Sequence, residues 1–453
     1  MRTATTLDPK AVKTALSALG RADAAFRALH PGDSAERRPT HVVYGGAHLF
    51  KSDAARKLGD LALRSLSRHA PDAEAFARVL GLRGELARPV YDRVVEKLKR
   101  EPVEDYRIDF EDGYGHRSDA EEDGHALAAA LELAKGLDAG TLPPFVGIRI
   151  KALAPETAAR AARTLDLFLS ALVRHSRGRL PDGFRVTLPK ASHPAQPAAL
   201  ARLLDAFERR KRLPRGAIKA ELMIETPQAV LDAGGRSPLR ALAAALGGRC
   251  AGAHFGAYDY SAACGVAASR QTLDHPSCAF ARAAMQAALA GSGVPLSDGA
   301  TTVLPVGPHR AAPGRALSPA EERENAAAVE RGWRLHFENA SRALSEGYYQ
   351  GWDLHPAQLP ARHAAVFAFF LDGLPEAAAR LSRFVESSAR ASRIGGVFDD
   401  AATGQGLLNF FLRARACGAL TEDEAASSGL TPEELAGRSF LRILEGRRAA
   451  AGV

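Results

Sequence analysis

The sequence has few cysteines and none of the spacings with which cysteines hold metals or form redox pairs. Its four cysteines, Cys250, Cys264, Cys278 and Cys417, form no CxxC motif. No nearby pair of histidines stands at the intervals of zinc ligands. These absences exclude a zinc-ribbon type of site and predict a protein of a reducing compartment, the cytoplasm.

Long apolar runs are also missing. The segment from Met1 to Asp8 lacks the apolar core of a signal peptide. No later run approaches the ~20 apolar residues that a membrane span needs. Neither export nor a membrane partner is therefore expected.

Glycine-rich phosphate loops are absent as well. The nearest candidate, Gly45-Gly46-Ala47-His48, lacks both the spacing of GxGxxG and the Lys-Ser of a P-loop. Nucleotide binding by either device is disfavoured.

Basic residues are in excess but are not concentrated. The formal net charge is +8, yet Lys and Arg are spread along helix-like stretches, with only short dense runs such as the one from Arg209 to Arg212. A nucleic-acid face would cluster them. We interpret the excess as a solvated surface that attracts anionic substrates locally, and we expect no nucleic-acid partner.

The arrangement of apolar runs predicts an α/β fold. A chain of 453 residues allows one barrel and a helical appendage. From residue 41 onward, short extended runs alternate with longer amphipathic segments, which is typical of parallel strands joined by helices. The strand candidates are His41 to Ala47, Tyr106 to Phe110, Phe145 to Ile150, Phe184 to Leu188, Ala220 to Ile224, Cys250 to Phe255, Val294 to Ser297 and Tyr348 to Leu354.

Eight such units predict a (β/α)8 TIM barrel over residues 41–360, with its active site at the C-terminal ends of the strands. Residues 1–40 form an N-terminal helical extension and residues 361–453 a C-terminal helical region. The helix candidates are Pro9 to Leu29, Asp119 to Lys135, Pro155 to Arg174, Pro194 to Arg212, Pro227 to Leu246, Pro319 to Gly347, Leu374 to Ala391, Gly406 to Gly418 and Thr431 to Ala449.

Three acids stand at or just beyond the end of the second strand candidate: Asp109, Glu111 and Asp112, in the segment from Arg107 to Gly113. Carboxylates this close repel one another unless a cation or hydrogen-bond donors offset them. The segment alone is equally compatible with a solvated acidic loop. Its position at a strand end favours a functional site.

Two further acids stand at neighbouring strand ends. Glu225 ends an apolar strand before Thr226-Pro227, and Asp259 follows the strand that ends in His254-Phe255-Gly256. Separated by one strand-helix unit, their side chains can converge. Such a pair suits Mg²⁺, which prefers oxygen ligands and polarises a carbonyl as a Lewis acid. The alternatives are an ion pair for Glu225 and a helix N-cap for Asp259.

Two cations and a histidine complete the set. Arg149 lies in an apolar strand, where an unpaired charge is costly, and its planar fork matches a carboxylate or an oxyanion. Alternatively, Arg149 has a structural role and balances the negative charge of Asp109 or Glu225. Lys190 follows Leu188-Pro189, and His355 ends the eighth strand candidate, where a structural hydrogen bond is the commoner role.

Taken in order, these motifs resemble the citrate lyase beta-subunit-like family, the HpcH/HpaI aldolase group. The resemblance spans about residues 41–360 and rests on Asp109 to Asp112, Arg149, Leu188-Pro189-Lys190, Glu225-Thr226, Gly256 to Asp259, Val294 to Gly299 and Leu354 to Gln358. It implies a barrel of the phosphoenolpyruvate/pyruvate-binding superfamily, assembled as a trimer or hexamer, with Mg²⁺, or Mn²⁺ in its place, on Glu225 and Asp259.

The resemblance also implies roles for the remaining residues. It assigns chemistry to Arg149, Asp112 and Lys190, and substrate contacts to Arg149, Asp109, Glu111, Gly256 and His355. Asp112 stands where the aldolase branch has a histidine that handles protons, a task that a carboxylate performs only with a raised pKa.

The sequence departs from the family near its C-terminus. In the acyl-CoA lyase branch, a G-x-F segment followed by D-G-K-M-x-D supplies an acid to a neighbouring subunit. Here Gly396-Val397-Phe398-Asp399-Asp400 matches only the beginning, and the position of the family's later Asp falls near Gln405 or Gly406. That acid is therefore either missing or replaced by Asp399 or Asp400. This departure places CoA-ester cleavage in doubt.

Three functions follow from these observations. The first is Mg²⁺-dependent cleavage of a carbon-carbon bond in a 2-oxo acid or acyl-CoA-type substrate through a stabilised enolate. The second is phosphoryl transfer or hydrolysis on phosphoenolpyruvate-like esters. The third is a non-catalytic oligomeric binding protein, against which the joint presence of Glu225, Asp259 and Arg149 argues.

Overall fold

The eight strands close into a barrel in which every neighbouring pair is parallel and the order follows the chain. The predicted (β/α)8 barrel is confirmed. All eight strand candidates are strands, and only their bounds differ. The strands are β1 His41–Gly46, β2 Asp105–Asp109, β3 Phe145–Arg149, β4 Arg185–Leu188, β5 Lys219–Ile224, β6 Cys250–Phe255, β7 Leu296–Ala300 and β8 Gln350–Asp353.

The computed structural model describes residues 6–32, 36–311, 313–387 and 401–450. Helices surround the barrel and extend it at both ends of the chain. They are α1 Pro9–Leu29, α2 Ala54–His69, α3 Ala73–Leu80, α4 Gly84–Arg100, α5 Asp119–Ala139, α6 Ala158–His175, α7 Ala195–Lys211, α8 Pro227–Val230, α9 Leu239–Ala245, α10 Ala257–Ala263, α11 Pro276–Leu289, α12 Pro319–Ser345, α13 Leu359–Ser387, α14 Ala401–Ala416, α15 Glu422–Ala426, α16 Pro432–Gly437 and α17 Phe440–Ala450.

Two helices that the sequence predicts as continuous are broken, which corrects those predictions. Between α8 and α9, the Asp232 side chain accepts hydrogen bonds from the backbone N–H of Gly234 and Arg236, at 2.8 and 2.9 Å. Such a local turn competes with the helix for the backbone. Between α16 and α17, Arg438 adopts a left-handed conformation with φ of 52° and ends the first helix.

The predicted boundary at residue 360 falls inside α13, whose first half is buried against the barrel. The division into barrel and C-terminal region therefore stays a prediction. The C-terminal helices contact the barrel layer through Arg93 of α4, which donates to the Ala419 carbonyl at 2.8 Å and pairs with Glu424. None of the described helices is long and apolar enough to cross a membrane.

Charged side chains fill the barrel interior, where branched aliphatic residues are usual. Arg107 of β2 is fully buried, pairs with Asp105 and donates to Glu221 at 2.6 Å. Glu221 also accepts from Arg185 at 2.7 Å and lies 3.0 Å from His254 Nε2. Burial disfavours the Glu221 carboxylate, but the charges of Arg107, His254 and Arg185 outweigh it and hold its pKa well below the usual range.

Removing the Arg107 charge should destabilise the barrel strongly. Arg107→Leu leaves Asp105 and Glu221 buried with fewer partners, and breaking a buried pair in this way costs about 3–5 kcal/mol. Urea unfolding of the two proteins measures the difference. The matched control, Arg163→Leu, removes an arginine whose ion pair with Asp123 is exposed, and little change is expected. Equal stability of Arg107→Leu and the parent would contradict a structural role for the network.

Candidate active site

The barrel mouth, the end at which the strands finish, begins with an ion pair between the last residues of β2 and β3. Arg149 donates from Nε to Asp109 Oδ1 at 2.7 Å and from Nη2 to Asp109 Oδ2 at 2.6 Å. Asp109 also accepts from the backbone N–H of Glu111 and Gly113. With four donors on its two buried oxygens, Asp109 is suited to hold Arg149 rather than to bind a substrate directly.

Arg149 is 1% exposed and keeps one nitrogen, Nη1, turned away from Asp109. This nitrogen lies 3.1 Å from Glu111 Oε2 and 3.6 Å from Met223 Sδ. The rings of Tyr44 and Trp352 flank the guanidinium, with centroids 4.8 and 5.5 Å from Cζ. The guanidinium is therefore fixed on one edge and presents Nη1 to the acids of the mouth.

Glu111 and Asp112 are adjacent in sequence but differ in environment. The Glu111 side chain is 10% exposed and contacts both Arg149 and Lys190, whereas the Asp112 side chain is 58% exposed. Burial raises the pKa of Glu111, against the lowering effect of Arg149. For Asp112, burial is outweighed by the hydrogen bond with Glu111 and by the charges of Arg149 and Lys190, so its pKa is lowered. A raised pKa thus belongs to Glu111, not to Asp112.

Glu225 follows β5 and is almost completely buried. Its Oε1 accepts from the backbone N–H of Lys190 at 2.6 Å. Burial, with help from Asp259 and Glu111, raises its pKa to about 8, although Lys190 and Arg149 oppose the shift. Gly256 makes room for this carboxylate, because a Cβ at that position would lie 2.5 Å from Glu225 Oε2.

Lys190 joins Glu225 to Asp259. Its ammonium Nζ pairs with Glu111 and lies 3.5 Å from both Asp112 Oδ1 and Asp259 Oδ2. Asp259 lies in the first turn of α10, beyond the end of β6, and its side chain is 48% exposed. Glu225 and Asp259 therefore converge on Lys190, one through the backbone and the other through the side chain.

The donor set at the mouth fits a cation that needs few protein ligands. No cluster of three or more His, Cys, Asp or Glu with metal-binding geometry occurs within the described ranges. Two converging carboxylates suit Mg²⁺, which keeps several waters and is bound through one or two carboxylates and the substrate. The same set does not suit zinc, which prefers nitrogen and sulfur ligands.

The contacts of His355 are with groups other than the acids of the mouth. Its Nδ1 accepts from the backbone N–H of Ala357 at 3.1 Å, which caps the short 3-10 helix Pro356–Gln358. It also lines a cleft of about 770 Å³ together with Arg68 and Pro305. Burial lowers its pKa. These contacts favour the structural role, and a substrate contact stays a prediction.

Three residues that surround Arg149 are not identified by the sequence analysis. Tyr44, Met223 and Trp352 lie on interior positions of β1, β5 and β8, and none carries a charge or motif that draws notice. Met223 stands two residues before Glu225, so the period of two along a strand places both on the interior face. This spacing of two residues is the signal in the sequence that could have identified Met223 as a residue of the site.

A family model described as a domain of unknown function, DUF6986, matches residues 19–443. The chain belongs to the DUF6986 family. The match includes every strand of the barrel and every residue of the mouth described above. No curated protein matches the chain.

Solved structures resemble this DUF6986 member at low identity. A citrate lyase from Burkholderia xenovorans LB400 has a TM-score of 0.56 and 20% identity, over 86% of this chain and 96% of that one. The CitE protein of Mycobacterium tuberculosis with magnesium, acetoacetate and coenzyme A has a TM-score of 0.44 and 18% identity, over 85% of this chain and 100% of that one. Malate synthase of Haloferax volcanii has a TM-score of 0.44 and 15% identity, over 91% of this chain and 98% of that one. The first likeness shows a shared fold, and the other two superpose too loosely to add to it.

The raised pKa of Glu225 predicts a specific dependence of stability on pH. The folded protein binds this proton more tightly than the unfolded chain, whose glutamates titrate near 4.5. The carboxyl therefore contributes a stability that falls as pH rises from about 4.5 to about 8. Glu225→Gln, which does not titrate, lacks this contribution.

Urea unfolding of the parent and of Glu225→Gln from pH 5 to pH 8.5, in the presence of a chelator, checks this prediction. The parent should lose stability relative to the variant as pH rises through this window. A stability difference that is independent of pH between 5 and 8 would contradict the raised pKa.

Proposed function

We propose that this protein is a Mg²⁺-dependent carbon-carbon lyase or aldolase that acts on a 2-oxo acid. The observation that carries the proposal is the convergence of Glu225 and Asp259 beside a buried, oriented Arg149 at the C-terminal end of a TIM barrel. Active sites of this fold lie at that end. The likeness of the mouth motifs to the citrate lyase beta-subunit-like family supports the same class of chemistry.

Glu225 and Asp259 are the residues that would hold Mg²⁺, with Mn²⁺ as an alternative ion. When bound, the ion supplies a Lewis acid that polarises a carbonyl and stabilises enolate charge. Glu225 is positioned for this task by the Lys190 N–H, which fixes one of its oxygens at 2.6 Å. Gly256 keeps the space beside the other oxygen open.

Arg149 would contact the carboxylate or keto oxygen of the substrate through Nη1. Its other two nitrogens are committed to Asp109, so the fork cannot turn away. A substrate oxygen at Nη1 takes the place of Glu111 Oε2, which lies 3.1 Å away. The substrate thus releases the Glu111 carboxylate from one of its two cations.

Glu111 is the better candidate than Asp112 for carrying a proton at the mouth. Efficient general acids and bases have a pKa close to the working pH. The pKa of Glu111 is shifted upward, mainly by burial, and that of Asp112 downward. Loss of the Arg149 contact on substrate binding would raise the pKa of Glu111 further.

The substrate class is limited to 2-oxo acids in this proposal. The segment with Asp399 and Asp400, on which the use of a CoA ester depends, lies outside the described residues. A homo-oligomer, trimeric or hexameric, stays a prediction from the family resemblance.

Enolate chemistry is tested by exchange of substrate protons with solvent. The purified protein with Mg²⁺ and pyruvate or oxaloacetate in D₂O should exchange the methyl or methylene protons, followed by NMR. Glu225→Gln should abolish the exchange, because it removes one of the two carboxylates at the centre of the site. Glu338→Gln, an exposed glutamate of α12, is the matched control and should exchange normally.

Two outcomes contradict the proposal. Phosphate release from phosphoenolpyruvate without any proton exchange would favour phosphoryl chemistry instead. A protein that neither exchanges substrate protons, nor releases phosphate, nor binds a divalent metal would have the non-catalytic function instead.

A further inference from the structure

We infer that Lys190 is a tethered counter-ion that holds the acids of the mouth together in the metal-free protein and competes with the divalent cation for Asp259. The inference rests on the proposed metal site. It assigns Lys190 a positioning role and predicts that this residue lowers metal affinity, which is the opposite of what a ligand or a substrate contact would do.

The first support is the set of groups around the ammonium. Lys190 Nζ pairs with Glu111 and lies 3.5 Å from Asp112 Oδ1 and 3.5 Å from Asp259 Oδ2. Asp109 is held by Arg149, and these are three of the other four acids at the mouth. Without a cation between them, acids this close repel one another. The ammonium supplies that charge from within the chain.

The second support is the backbone at Lys190. Its φ is 52°, in the left-handed region that residues with a Cβ rarely adopt. This conformation directs the N–H to the fourth acid, Glu225, at 2.6 Å. One strained residue thus contacts all four acids, three through Nζ and one through its N–H, and strain of this kind concentrates at functional sites.

Competition follows from where a divalent ion would sit. An ion between Glu225 and Asp259 needs the Asp259 carboxylate that Lys190 Nζ faces at 3.5 Å. Two cations that share one carboxylate at such short distances repel each other. Glu111 and Asp112 also lie beside the ammonium. These two acids would keep it at the mouth when a divalent ion takes the Asp259 carboxylate.

The test compares Mn²⁺ affinity in the parent, Lys190→Met and Lys190→Gln by calorimetry. Both variants keep the backbone N–H that holds Glu225 and remove the ammonium charge. Each should bind Mn²⁺ at least about tenfold more tightly than the parent, since removing a like charge this close is worth roughly a tenfold change or more. Lys51→Met, which removes an exposed lysine, is the matched control and should bind as the parent does.

A second readout separates competition from a purely structural role. In thermal unfolding, the Lys190 variants should be less stable than the parent in chelator and should gain more from added Mn²⁺. Folded variants that bind Mn²⁺ no more tightly than the parent overturn the inference. If both variants fail to fold, the parent with ¹³C-methylated lysines replaces them. Its Lys190 signal, assigned through Lys190→Arg, should shift during a Mg²⁺ titration, and no shift overturns the inference.

Failure of this inference is distinguishable from failure of the proposed function. If the parent does not bind a divalent ion, or if Glu225→Gln binds it equally well, the metal site itself is wrong. If Glu225→Gln abolishes binding while Lys190→Met leaves it unchanged, the metal site stands and only the role of Lys190 is wrong.

Discussion

The double hydrogen bond between Arg149 and Asp109 is the interaction on which the barrel mouth depends. It ties the ends of β2 and β3 and orients a guanidinium whose charge would be costly to bury without a partner. Asp109 in turn receives two backbone N–H groups of the following loop. The same carboxylate therefore sets the direction of Arg149 and the position of Glu111.

Charge balance extends from this pair in two directions. Deeper in the barrel, Arg107, Arg185 and Glu221 form a buried network of charges across the interior. On the mouth side, Lys190 shares Glu111 with Arg149 and also lies beside Asp259. For Glu225, burial outweighs the charges of Lys190 and Arg149 and raises its pKa. A carboxyl whose charge is not fully offset by its surroundings is a suitable place for an added cation.

The eight strands and the strand-end acids could be predicted because the alternation of apolar runs and the position of each acid are visible in the sequence. The break between α8 and α9 could not, because the Asp232 turn competes locally with a helix-compatible pattern. The opposite pKa shifts of Glu111 and Asp112 also depend on burial, which adjacent positions do not reveal. Nor does the sequence indicate that Lys190 adopts a left-handed backbone, or that its N–H and its ammonium together contact four acids of the mouth.

The central claim is that Glu225 and Asp259 share a divalent cation. Anomalous diffraction from crystals soaked in Mn²⁺ tests it most directly, because the map locates the ion without assuming a reaction. The account predicts one strong peak within about 2.1 Å of a carboxylate oxygen of each residue, the distance at which such hard ions meet carboxylates. A map without a peak between these two side chains, at a Mn²⁺ concentration that occupies other carboxylates, would contradict it.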